Sequence, residues 1–314
     1  MRAMVSGASG FLGSALVARL TSEGHEVTRL VRRDPRPADA ALDLEGRRLV
    51  EPRCGVALGE VDVVFHLAGE PITPWRWSAA KRERIRASRV ATTDVVARAV
   101  AALPGRQPVL VVMSAVGYYG DRGEELLDEQ SAPGGGTLAE ICRAWEAAAT
   151  PAADAGARVV NVRAGLVLGP GGGLLRLLAP ISRAGLGARL GSGCQWSSWI
   201  SLEDAVGALL HVATAPDLAG PCNATSPAPA RNGELAAGIA SALGRRARLS
   251  VPAAALRLLA GDEAAGELLL ASQRVVPAVL GHSGYRFVHP TLAEALHAAF
   301  SAPSTAGRAG TGTR

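Results

Sequence analysis

The first half of the chain alternates short, almost wholly apolar runs with longer segments whose apolar positions recur at helical spacing. Ala3-Met4-Val5 leads into the segment Gly7 to Gly13, and an amphipathic helix follows from Ser14. A second strand is predicted over Glu26–Val31, and Val61–Ala68 reads as a buried strand ending at Gly69. Ser78–Leu103 has the spacing of a long helix, Pro108–Ser114 of a strand, Ala139–Ala153 of a helix and Arg158–Val162 of a strand. Strands that are apolar throughout and alternate with helices predict an α/β, Rossmann-like, doubly wound parallel sheet covered on both faces. After Arg163 the texture changes. Gly169-Pro170-Gly171-Gly172-Gly173 breaks the chain, a Leu-rich helix and a second glycine-rich stretch follow, and Asp204–Ala213 reads as one more helix. From Pro221 onward, short elements suit a smaller lobe.

Between the first strand and the first helix, three glycines are spaced G-x-x-G-x-x-G. One allows the tight turn, one lets the backbone approach a pyrophosphate, and one lets the helix pack closely on the strand. Phosphates would sit at the helix N-terminus, where free N–H groups and the helix dipole favour negative charge. A dinucleotide site is therefore expected at Gly7, Ser9, Gly10, Phe11, Leu12 and Gly13. Ligands of such sheets bind beyond the carboxyl ends of the strands, which adds Leu67, Ala68, Gly69, Glu70, Ser114, Arg163 and Gly165 to one crevice. The second strand ends Leu30-Val31-Arg32-Arg33-Asp34. Two guanidinium groups there suit a 2′-phosphate, held through paired charge-assisted hydrogen bonds, so NADP(H) is the expected cofactor. NAD(H) is the alternative, with Asp34 turned toward the ribose.

The domain organisation follows. A dinucleotide-binding core is expected over 1–165. A mixed region over 166–300 returns the last core elements at about 196–225 and forms a substrate lobe. The tail over 301–314, rich in Ala, Gly, Ser and Thr, reads as disordered. Aromatic residues are only 4% of the chain, so Ala, Val and Leu must fill most of the core. The net charge of +5 is spread over arginines rather than gathered in a basic tail, which argues against a nucleic-acid partner and suits an anionic cofactor. Cys54, Cys142, Cys194 and Cys222 form no C-x-x-C pair, and the six histidines show no H-x-x-x-H spacing, so neither metal nor disulfides are expected. No apolar run is long enough to span a bilayer, and the glycine motif leaves no room for a signal peptide. A cytoplasmic monomer or homodimer acting on a small molecule is the expectation.

Several segments resemble the extended short-chain dehydrogenases/reductases, the group of NAD-dependent epimerases and dehydratases. His66-Leu67-Ala68-Gly69-Glu70-Pro71-Ile72 looks like that family's strand end beneath the cofactor, and Ser114-Ala115-Val116-Gly117-Tyr118-Tyr119-Gly120 sits where relatives carry Val-Tyr-Gly. Arg163 to Gly169, Trp196 to Asp204, Gln273 to Pro277, Gly284 to Phe287 and Pro290-Thr291-Leu292 are similar to an atypical branch with its own C-terminal signature and undefined substrate. The resemblance covers about residues 1–300 and implies the fold and the nucleotide better than it implies a reaction.

Typical members use a Tyr acid/base, a Lys four residues later and a nearby Ser or Thr. The Lys is needed because Tyr alone, with a pKa of about 10, is a poor base near neutrality. Aligning Glu146 with the family's usual helix places Leu138 at the Tyr position, Cys142 at the Lys position and Ala115 at the Ser/Thr position. Three readings stay open. Other residues could do the acid/base work, with Tyr118, Ser114 and Glu70 as the catalytic candidates, Tyr119 and Arg143 as further possibilities, and Lys81 read as a solvated helix charge. Arg89, where relatives carry Asn, could help bind an anion or only stabilise its helix. Alternatively, hydride transfer needs no strong base and solvent supplies the proton. In the third reading the chain is a non-catalytic NADP(H) sensor. A nucleotide-sugar epimerase or dehydratase is a further alternative. Gln195 and Trp196, with Trp199, fall where the resemblance places substrate contacts, and Tyr118 would lie nearest the nicotinamide.

Overall fold

A computed structural model describes residues 1–72 and 76–301. The tail expected over 301–314 lies outside the described residues from 302 onward. Eight strands form the main sheet: β1 (Arg2–Ser6), β2 (Glu26–Val31), β3 (Ala40–Asp43), β4 (Arg48–Val50), β5 (Val63–His66), β6 (Val109–Ala115), β7 (Val159–Ala164) and β8 (Gly220–Ala224). Their spatial order is β8-β7-β6-β5-β1-β2-β3-β4. All neighbours are parallel except the edge pair β3/β4. The strand order reverses between β1 and β5, which makes that gap the topological switch point of a Rossmann-like fold.

Side-chain alternation explains why the strands read as unbroken apolar runs. Ala3 and Val5 of β1, Phe65 of β5 and Val111 of β6 face one layer, packing on Leu16 and Leu20 of α1 (Phe11–Ser22). Met4, Val64, Leu110 and Val112 face the other. There they meet Val95, Val96 and Val100 of α2 (Ala79–Ala101) and Trp145 of α3 (Thr137–Ala147). Ser78 caps α2 by accepting from the Lys81 N–H at 3.1 Å. The helix expected over Ala139–Ala153 is interrupted: α3 ends at Ala147 and α4 (Thr150–Asp154) restarts with Pro151 in its first turn. A proline has no N–H to continue the ladder, so it is tolerated only at a helix start.

Beyond β7 the chain builds α5 (Gly173–Arg183) and α6 (Leu202–Thr214) before β8 completes the sheet. Leu209 and Val212 of α6 join the same apolar layer as α1. A smaller cluster of Leu168, Leu175, Trp199, Leu235, Ile239 and Leu296 centres the C-terminal lobe. That lobe is pinned to the core by Asp204, which is fully buried. Its carboxylate accepts from Ser201 Oγ (2.7 Å), Tyr285 Oη (3.2 Å), Val288 N (2.7 Å) and His289 N (2.9 Å). The segment Gln273–Pro277 is bound likewise: Ser198 Oγ donates to Gln273 O (2.8 Å) and accepts from Val275 N (2.8 Å). Among the described residues, no helix is long and apolar enough to cross a membrane.

Candidate functional site

The glycine turn lies at the switch point. Gly7 has φ +68°, and a Cβ there would approach the Leu67 carbonyl within 2.9 Å, so only glycine lets β1 pass so near the end of β5. At Gly13 a Cβ would collide with Gly7 O and Gly7 C, which is the close helix–strand contact expected of the third glycine. Gly10 differs: it is exposed, and an added Cβ would meet only Gly7 O, at 3.2 Å. Ser9 is exposed beside it, while Phe11 and Leu12 are half-buried in the first turn of α1. The ring of Phe11 packs against Gly169, Gly172 and Gly173, which accounts for the glycine-rich break after β7. Gly10 and the α1 N-terminus therefore present open backbone to an anion, and the chain fits a pyrophosphate.

The end of β5 is fixed from beneath. Leu67 N and Ala68 N donate to Ser6 Oγ at 3.0 and 3.2 Å, and Ser6 Oγ meets His66 Nδ1 at 2.9 Å. His66 Nε2 in turn meets Thr92 Oγ1 at 3.0 Å, and Thr92 donates to Ser88 O at 2.7 Å. These partners assign the proton to Nε2. Burial pushes the His66 pKa down to about 4, so the imidazole is neutral and structural. Arg32, Arg33 and Asp34 are all exposed beyond β2, with Asp34 at φ +49°. The neighbouring Asp39 is taken by Arg29, through bonds of 3.0 and 2.8 Å.

A second network closes the ends of β6 and β7. Ser114 Oγ donates to Glu146 Oε1 (2.7 Å), and Arg163 grips the same carboxylate through Nε (2.9 Å) and Nη2 (2.8 Å). Arg163 Nη1 donates to Tyr119 Oη (3.0 Å), which donates to Asn223 Oδ1 (2.8 Å). Burial alone would lower the Arg163 pKa, but the hydrogen bonds and charge of Glu146 reverse this and raise it. Burial pushes Tyr119 up to about 12, against the Arg163 charge. Tyr118 lies face-on to the Arg163 guanidinium, Cζ to ring centroid 3.4 Å. Gly165 is half-buried and follows the end of β7 directly.

Beyond these strand ends opens a cavity of about 700 Å³. Ala115, Val116, Gly117, Leu138, Cys142 and Gly165 line its core side. Burial pushes the Cys142 thiol up to about 11, with the Glu146 charge adding to it, so this cysteine is no nucleophile near neutrality. Trp196 is on the wall, with its Nε1 donating to Glu124 Oε2 (2.8 Å) and Arg231 and Arg274 against its ring. Gln195, expected beside it, is not: it is 9% exposed, and its amide is held by Leu190 O (3.1 Å) and Leu269 O (3.0 Å). Trp199 is core, donating to Ala228 O at 2.9 Å. Ser114, Tyr118 and Glu70 do not line the cavity either. Lys81 is no solvated charge: it is 7% exposed, and its Nζ donates to Glu70 Oε1 (2.7 Å) and Pro71 O (2.8 Å). The Lys81 hydrogen bond holds the Glu70 carboxyl below its usual range.

Residues 3–224 match the NAD dependent epimerase/dehydratase family. The chain belongs to that family. Residues 251–299 of this epimerase/dehydratase family member also match a domain of unknown function, DUF1731. An epimerase family protein of Mycobacterium tuberculosis is 43% identical over 299 residues, covering 95% of this chain and 97% of its own. Human epimerase family protein SDR39U1 is 37% identical over 301 residues, covering 94% and 98%. The crystal structure of the human protein (isoform 2) with NADPH matches at a TM-score of 0.87 and 34% identity, covering 96% of this chain and 99% of that one.

Two site features escaped sequence reasoning. Glu267, from the π-helical turn Ala265–Leu270 of the C-terminal lobe, accepts from Thr137 N (2.8 Å) and Leu138 N (2.7 Å) and so caps α3 across the lobe boundary. Its partners are far apart in sequence and no local motif announces them. Glu146, legible only as an alignment anchor, is the hub that ties Ser114 to Arg163.

Proposed function

We propose that the protein is an NADP(H)-dependent oxidoreductase acting on a small molecule without a Tyr-x-x-x-Lys pair. The observation that carries this reading is the open Gly10 face of the switch-point turn, in a chain 34% identical to a human relative solved with NADPH. Bound NADPH supplies a hydride. The turn Gly7 to Gly13 and the α1 N-terminus hold the pyrophosphate, Arg32 and Arg33 hold the 2′-phosphate, and the ends of β6 and β7 floor the reacting end. Leu138 and Cys142 stand where the family's usual pair would be, and neither takes up a proton near neutrality. Ser114 holds Glu146, Tyr118 stacks on Arg163 and Glu70 anchors Lys81, so these three position the strand ends. The proton that completes a reduction comes from solvent.

An NADPH-oxidation screen over carbonyl, quinone and nucleotide-sugar panels tests this. Turnover is expected with a carbonyl or quinone, and Tyr118→Phe and Glu70→Gln should retain it. A loss of about 10²-fold in either variant would make that residue the general acid/base instead. Brisk activity on a UDP-sugar would contradict the missing pair. Silence across the panels with NADPH binding intact favours a sensor.

A further inference from the structure

The cavity carries a lining that the reaction above does not use. Its far half is aliphatic: α5 contributes Leu174, Leu178 and Ile181, and the C-terminal lobe contributes Leu256, Leu259 and Leu269. Ile181 and Leu259 remain 47% and 69% exposed, so the apolar surface runs out to the mouth. Among the described lining residues, Arg89 carries the one positive charge and Glu267 the one negative charge. Glu267 is occupied by the two N–H groups of α3. Arg89 donates through Nη1 to Glu70 O (3.0 Å) and Ile85 O (3.1 Å). Its Nε and Nη2 bond to no described residue, no carboxylate pairs with it, and its guanidinium lies 5.0 Å from the Trp145 ring centroid. A half-buried guanidinium without a paired carboxylate is costly to keep and is a ready receptor for an anion.

We propose that the cavity binds a small molecule with a single anionic group and an extended hydrocarbon body. The anion meets the Nε/Nη2 edge of Arg89, and the hydrocarbon lies along the leucines toward the mouth. A nucleoside diphosphate sugar is a poor occupant. Its two phosphate charges would face one cation, and its sugar hydroxyls would meet a mostly aliphatic wall in which Ser197, Asn232 and Gln273 are among the few polar side chains. The proposal names the substrate class for the oxidoreductase reading and rests on that reading for the reaction, though not for the binding.

Calorimetric titration of decanoate, decanol and UDP-glucose into the full chain, with and without saturating NADP⁺, is the test. Decanoate should bind, decanol should bind at least about tenfold more weakly, and UDP-glucose should be the weakest. Arg89→Gln should bring decanoate down to the decanol level and Arg89→Lys should keep the preference, with NADPH affinity unchanged within about threefold in both. Equal binding of decanoate and decanol by the unsubstituted protein, which needs no variant to fold, would overturn the proposal. So would UDP-glucose binding more tightly than decanoate. An Arg89→Gln protein that loses NADPH affinity but keeps its decanoate preference would move Arg89 to the cofactor and overturn it as well. If decanoate behaves as expected while NADPH does not bind, the oxidoreductase reading fails and this one stands.

Discussion

Replacing Gly13 by Ala should destabilise the protein by about 2–4 kcal/mol, while replacing Gly10 by Val should cost about 1 kcal/mol or less and abolish nucleotide binding. The two positions lie three residues apart in one turn, yet their surroundings differ. A methyl group at Gly13 would be driven into the backbone of Gly7, and α1 would have to lift off β1. At Gly10 the new side chain meets only Gly7 O and otherwise points into open space, where the proposed pyrophosphate would approach. Urea melts should separate the two variants by stability and NADPH titration by affinity, with at least about a hundredfold loss for Gly10→Val. If the Gly10→Val protein is still stabilised by NADPH as the parent is, the turn serves only to pack the helix. A Gly13→Ala protein as stable as the parent would mean that α1 is not seated as described.

Asp204→Ala is expected to cost about 3–5 kcal/mol, because it strips partners from a fully buried cluster. Ser201 Oγ and the N–H groups of Val288 and His289 would lose their acceptor, and Tyr285 Oη would keep only the Asp204 main-chain carbonyl, at 3.1 Å. Since those residues join α6 to the C-terminal lobe, the variant should also expose that lobe to proteolysis while the sheet persists. Asp204→Asn, which keeps one acceptor oxygen, should fall between the two. A melt of Asp204→Ala within about 1 kcal/mol of the parent would show that the cluster does not hold the lobe.

The main sheet was legible because β1, β5, β6 and β7 are buried on both faces and therefore carry apolar runs, with polar residues such as Ser6, His66, Ser114 and Arg163 at their carboxyl ends and Asn161 as an exception within β7. The edge strands β3 and β4 were not. They are short, and Leu49 between Arg48 and Val50 makes too brief a pattern to register. Their one local signal is the Asp43 carboxylate, which accepts from Gly46 N at 2.9 Å and from Arg48 Nε at 3.1 Å across the turn. Sequence spacing located the glycine turn because the task of each glycine is local. It could not place Gln195, whose amide is claimed by carbonyls of Leu190 and Leu269, the latter from the C-terminal lobe. Nor could it show that Lys81 folds inward onto Glu70, because the ion pair bridges a strand end and the first turn of α2. Arg89 was visible as a departure from the family's Asn. Its lack of a counter-ion became visible only once the surrounding side chains were in place.

The proposed function depends above all on an NADP(H) site bounded by the glycine turn and the arginines after β2. Calorimetric titration of the full chain with NADPH and NADH tests it most directly. NADPH should bind at least about tenfold more tightly, corresponding to about 1.4 kcal/mol or above, and the combined change Arg32→Asp with Arg33→Ala should erase the difference. Equal affinity for the two nucleotides in the unsubstituted protein, or a preference that survives the loss of both arginines, would contradict it.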